Sequence, residues 1–148
     1  MPKPQVTIPL DIPDVRVLGT EISVKGEVII TVESIKDEAV CHRCGKIIRK
    51  FHGHDGWVSI RYLPVFGRPA YLRYRPKRYQ CQECEGKPTT TQTLAWHNSN
   101  SPHAIVYDEH ILLELVNATI EDVAMKEGLA YASVLGALER QVDEKVNW

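Results

Sequence analysis

The chain has 148 residues, 43% of them hydrophobic, and a formal net charge of −1, which suits one ordinary domain or two small ones, neither with a large core. No apolar run approaches the roughly 20 residues of a membrane span, and Met1-Pro2-Lys3-Pro4 opens no apolar signal segment, so a cytoplasmic protein with no membrane partner is expected. The near-zero charge hides an asymmetry, because residues 1–40 balance to −3, residues 41–90 to +8 and residues 91–148 to −6. A central block at +8 fits a phosphate-binding surface, since neutralised phosphates release counterions, while acidic flanks weaken a nonspecific grip.

Pro2, Pro4, Pro9 and Pro13 deny residues 1–14 both helix and a central place in a sheet, which makes them an arm. Residues 15–22 and 27–34 are rich in β-branched side chains and are separated by a turn at Lys25-Gly26, the signature of a β-hairpin. Between residues 45 and 80 the hydrophobic period stays near two, giving short strands at 47–52, 57–63 and 71–75. Turns fall at Gly53-His54-Asp55-Gly56 and Gly67-Arg68-Pro69.

All four cysteines lie in Cys41-His42-Arg43-Cys44 and, after 36 intervening residues, Cys81-Gln82-Glu83-Cys84. Two C-x2-C knuckles aim four thiolates at one point, the tetrahedral shell of a structural zinc. Disulfides do not suit a reducing compartment. An iron site with the same ligands remains open on spacing alone, although the span here is basic, unlike the acidic iron carriers. His42, His52 and His54 are left unassigned to metal, because the cysteines already complete the shell.

The strand entering the second knuckle carries the charge. Alternation puts Tyr71, Arg73, Arg75 and Lys77 on one face, with Leu72, Tyr74 and Pro76 opposite. Arg68, Arg73, Arg75, Lys77 and Arg78 fall within eleven residues that contain no acid, and they are the candidate phosphate contacts.

Residues 88–104 read as a linker with one anchor, Trp96. From Tyr107 the period becomes helical. A first helix has Ile111, Leu112, Leu115 and Val116 as its inner stripe. A second runs from Ile120 to Glu127, with Thr119 as N-cap and Gly128 as stop, and a third runs from Ala130 to about Lys145. Small Ala124 and the glycine turn describe a helix-turn-helix over 105–148. Its third helix offers Tyr131, Ser133 and Arg140 to nucleic acid, helped by Gln141 and Lys145, but its first turn has few groups for base edges and Glu139 adds repulsion. The expected fold is α+β: a β-hairpin and four-cysteine zinc ribbon over 15–87, the linker, then the helices.

This order of parts resembles the N-terminal region of the ISL-three type of bacterial insertion-sequence transposases. The residues that carry the resemblance are Cys41-His42-Arg43-Cys44-Gly45, the run from Gly67 to Cys81, and the run from Ala118 to Leu138. It implies binding of double-stranded DNA at the terminal inverted repeats of a mobile element. In the family a ribonuclease-H-like domain with three catalytic carboxylates follows. The chain stops where that domain would begin, and Asp108, Asp122 and Asp143 sit in predicted helices or caps, so binding without catalysis is expected. The rival reading is a zinc-stabilised interaction module that pairs two copies through the helices and regulates transposition without strong DNA binding.

Overall fold

The computed structural model describes residues 10, 12–98 and 101–145, with side chains described as far as residue 142. Most of the expected arm, and the end at Val146-Asn147-Trp148, lie outside the described residues. The last part of the arm is not a free tether. Ile12 is buried and Leu10 packs beside it on the core of the main sheet, because apolar side chains gain more from burial than from trailing in water.

The expected hairpin is formed by β1 (Val15–Ile22) and β2 (Val28–Ser34), paired antiparallel with a bulge near Val17. On β2 burial alternates strictly, with Val28, Ile30, Val32 and Ser34 inward, as a half-buried strand requires. Further on come β3 (Ala39–Val40), β4 (Ile47–Ile48), β5 (Lys50–His54), β6 (Val58–Val65), β7 (Arg68–Tyr74), β8 (Lys77–Gln80) and β9 (Thr89–Thr91).

These strands do not all stay in the ribbon, as the period-two pattern implied. β6 and β7 leave it and join the N-terminal hairpin in a four-stranded sheet ordered β1-β2-β7-β6, in which β2 and β7 run parallel. The ribbon keeps a β3-β4 hairpin around the first cysteine pair and a β5-β8-β9 sheet flanking the second. Ala70, Leu72 and Tyr74 of β7 complete the core of the large sheet with Ile30, Val32, Ile60 and Tyr62. Burial of that row explains the departure: within a small ribbon these side chains would have had no second layer to cover them.

Residues 88–104 are likewise built in. Thr89–Thr91 is the third strand of the ribbon sheet. Buried Gln92 donates from Nε2 to the carbonyl oxygens of Lys36 and Glu38, and Trp96 lies in the main core, edge-on to Tyr74 at 4.9 Å. Residues 102–104 run along the edge of β6: the Arg61 N–H donates to Pro102 O and the Ala104 N–H to Arg61 O, each at 2.9 Å. A polar composition marked this stretch as linker, but its polar groups are satisfied by protein and not by water.

Three helices follow: α1 (Ile105–Glu114) with a 3-10 turn at Leu115–Asn117, α2 (Ile120–Glu127) and α3 (Tyr131–Lys145). Thr119 caps α2 by accepting from the Asp122 N–H at 3.1 Å, and Gly128 ends it in the left-handed region at φ 67. Tyr107, Ile111, Val123, Ala124, Val134 and Ala137 make the helical core. The inner stripe of α1 differs from the expected one. Tyr107, Asp108 and Ile111 face in, while Val116 is 71% exposed. A carboxylate on an inner stripe is costly unless it is paired, and Arg140 of α3 supplies the pair.

Candidate metal centre and nucleic-acid interface

Each cysteine pair sits in a tight backbone loop. In the first, the Gly45 N–H donates to Cys41 O and the Cys41 N–H to Lys46 O; in the second, the Lys87 N–H donates to Cys84 O and the Cys81 N–H to Pro88 O. The four sulfurs converge, with all ligand atoms within 4.8 Å of one another, Cys41–Cys84 at 3.9 Å and Cys44–Cys81 at 3.8 Å. A tetrahedron with zinc–sulfur bonds of about 2.3 Å has edges of about 3.8 Å, so these two sulfur pairs stand at the separation a zinc ion demands. Backbone N–H groups of Cys44 and Arg43 point at the Cys41 sulfur and pull its pKa down to about 6, which favours the ligating thiolate. Cys41 and Cys81 are buried with Ala39, Ile48 and Tyr79, while Cys44 faces solvent. Four ligands leave no open position, so the centre is structural. His42 is taken up with Thr90, its Nδ1 lying 2.8 Å from Oγ1.

The sequence of residues 37–84 matches the model of a family described as the zinc-finger of transposase IS204/IS1001/IS1096/IS1165. Residues 37–84 are a zinc ribbon of the ISL3 transposase type. No curated protein and no solved structure matches it. Within the ISL3 ribbon, zinc is the structural cofactor held by Cys41, Cys44, Cys81 and Cys84.

The cations beside the ISL3 ribbon do not form one row. Strand β7 ends at Tyr74, and Pro76 turns the chain into a different sheet, so Lys77 does not continue the face of Arg73. Its side chain is 15% exposed, with Nζ 3.6 Å from Asp37. Arg78 spends its guanidinium on Asp55, at 3.5 Å, and on the Thr89 hydroxyl. Arg68 is exposed and donates to Gly26 O at 3.3 Å. Arg73 and Arg75 stand apart from these: their guanidinium carbons lie 4.3 and 4.8 Å from the ring centre of Trp57, and neither has an ion pair among the described residues. Trp57 is half exposed. Slight burial, together with the nearby charges of Arg75 and Lys77, lowers the pKa of His54.

On the helices, Tyr131 is exposed and Ser133 is half-buried in the first turn of α3. Arg140 is turned inward. Its Nε and NH2 atoms donate to the two carboxylate oxygens of Asp108 at 2.7 and 2.9 Å, and His103 Nδ1 meets Asp108 at 2.8 Å. This is a clamp within the protein, and it removes Arg140 from the set of free cations. Gln141 is buried too.

Two residues that matter were not singled out from sequence. Trp57 looked like one more alternating strand residue, although an indole next to an arginine-rich strand is the pattern of a stacking platform. Arg61 was counted only as charge. It is 6% exposed and sits between the rings of Tyr71 and Tyr107, at 5.6 and 5.1 Å, and its NH2 donates to Glu127 O at 3.0 Å. It joins the sheet to the helices, and nothing local in the sequence marks a strand arginine as buried.

Proposed function

We propose that this chain is the DNA-binding portion of a transposase and that it recognises the terminal inverted repeats of an insertion sequence. The observation that carries the reading is the pair Arg73 and Arg75, held against Trp57 with no carboxylate partner among the described residues beside a transposase-type zinc ribbon. Stacked guanidinium groups are pre-ordered, so they contact phosphate with little further loss of entropy. The four-stranded sheet that contains β7, with its own core, keeps these cations on a surface. Helices α2 and α3 act as a helix-turn-helix that adds site selection through Tyr131 and Ser133. The chain grips DNA and leaves strand cleavage to a carboxylate-bearing domain.

The test is fluorescence anisotropy of zinc-loaded protein on duplexes with and without the element's terminal repeat, over a range of salt. Affinity should fall with salt. The Arg73→Ala/Arg75→Ala variant should bind all duplexes more weakly and lose about 1.8 units of log–log salt slope, two phosphates at about 0.9 each. Salt-independent binding, or none, would overturn the proposal.

A second reading, pairing of two copies through the helices, draws on exposed Leu113 and Val116 beside an apolar groove lined by Leu112, Leu115, Ile120 and Leu138. A stable oligomer without DNA affinity would select it.

A further inference from the structure

The parallel pairing of β2 with β7 has a geometric result at the end of the sheet where both strands begin. It sets Val28 opposite Ala70, which brings the β1–β2 turn beside the β6–β7 turn. The two turns touch, since Arg68 NH1 donates to Gly26 O, and a side chain on Gly26 would put its Cβ 2.9 Å from that guanidinium. Each turn offers one bare apolar side chain and one cation: Val24, fully exposed, with Lys25, and Phe66, 84% exposed, with Arg68. The one carboxylate within the turns, Glu27, is half-buried and engaged with Ser23.

Phe66 is the least expected of the four. With Gly67 it forms a two-residue hairpin loop between paired Val65 and Arg68, and both loop residues have positive φ, 50 and 73. Such loops favour Asn or Asp followed by Gly. A bulky aromatic pays steric strain in that conformation, and here burial returns nothing, because the ring points into solvent.

We propose that these twin tips are a second DNA-contacting site, in which Phe66 and Val24 wedge into the minor groove and bend the duplex while Lys25 and Arg68 hold the flanking phosphates. The inference rests on the DNA-binding reading above. Proteins that insert apolar side chains between base steps pair them with cations in this way. Spacing agrees. Arg73 lies five residues along β7 from Arg68, about 17 Å, which is half of the roughly 34 Å helical turn of DNA. A strand lying along the duplex with Arg73 and Arg75 on the backbone beside one groove therefore brings its far end to the other kind of groove.

The experiment compares wild type, Phe66→Asn and Val24→Ser/Lys25→Ala, all zinc-loaded. The probe is an A·T-rich duplex of roughly 30 base pairs, labelled at both ends so that energy transfer reports bending. Asparagine is at home at positive φ, so Phe66→Asn should melt no lower than wild type. It should nevertheless bind roughly tenfold more weakly and no longer bend the duplex, and netropsin, a minor-groove ligand, should displace the wild type. If wild type binds and Phe66→Asn binds and bends equally well, the tips are not a DNA site, while the reading based on Arg73 and Arg75 stands. If wild type binds no duplex at low salt, both fall, the DNA-binding reading first.

Discussion

Arg61 of β6 donates a hydrogen bond to the carbonyl oxygen of Glu127, the last residue of α2, at 3.0 Å. The same guanidinium is 3.8 Å from the Glu127 carboxylate. One side chain thus satisfies an orphan carbonyl at a helix C-terminus, complements its negative end, and fixes the helices to the sheet. Arg61→Ala should cost about 3 kcal/mol, the typical loss on breaking a buried charge pair. Denaturant unfolding followed separately by tryptophan fluorescence and by helical circular dichroism should change from one transition to two. Arg61→Lys should recover little, because an ammonium cannot stack between Tyr71 and Tyr107 while reaching Glu127.

Metal removal should act locally. Elemental analysis should find one zinc per chain in colourless protein. Because metal binding in such sites supplies on the order of 10 kcal/mol, Cys41→Ser/Cys81→Ser should abolish zinc binding and unfold the β3-β4 and β5-β8-β9 sheets. Amide exchange should rise first at Tyr79, which is buried against the cysteines, and last at Ile30 and Leu72 in the other core.

Acid should loosen the helices in a defined way. Burial alone would raise the pKa of Asp108, but hydrogen bonds from Arg140 and His103 outweigh it and hold the group below its ordinary value. A carboxylate depressed in the folded state stabilises fully above its unfolded pKa of about 3.9 and loses that contribution as pH falls through the lower folded value. Stability measured by denaturant at stepped pH should therefore drop below about pH 4. Asp108→Asn should cost about 3 kcal/mol near neutrality and flatten that part of the profile.

The candidate cations should rank by what already occupies them. Single alanine substitutions at Arg73 or Arg75 should weaken duplex binding several-fold. Those at Lys77 and Arg78 should do so by less, because Asp37, Asp55 and Thr89 already hold them. Arg140→Ala should lower the melting temperature with no change in the preference among duplexes.

What could be read from the residues was whatever short-range chemistry decides. Cysteine spacing set the metal site, and Thr119 and Gly128 bounded α2 because capping is a matter of three or four residues. Strand pairing over distance was not legible. Nothing in Val28-Ile29-Ile30-Thr31 names Ala70-Tyr71-Leu72-Arg73 as its neighbour, since any alternating strand offers a similar edge. The face assigned to Lys77 failed because a proline can end one sheet and begin another. Asp108 lies in a helix as expected, but the burial of Gln92 and Asp108 was not legible, because buried polar groups depend on partners far along the chain, carbonyls at 36 and 38 and a guanidinium at 140.

The parallel β2–β7 pairing also means that the span matched to the zinc-ribbon family, residues 37–84, is not a folding unit. Trimmed to those limits, the polypeptide would keep all four cysteines but lose β2 and β9, leaving β7 and β8 with open edges and Ala70, Leu72 and Tyr74 without their covering strand. Unpaired edges of that kind recruit other chains. The excised ribbon should bind its metal and still self-associate into aggregates, whereas a piece running from residue 10 through Ala104 keeps β2, β9 and the segment along the edge of β6 and would carry its own solubility.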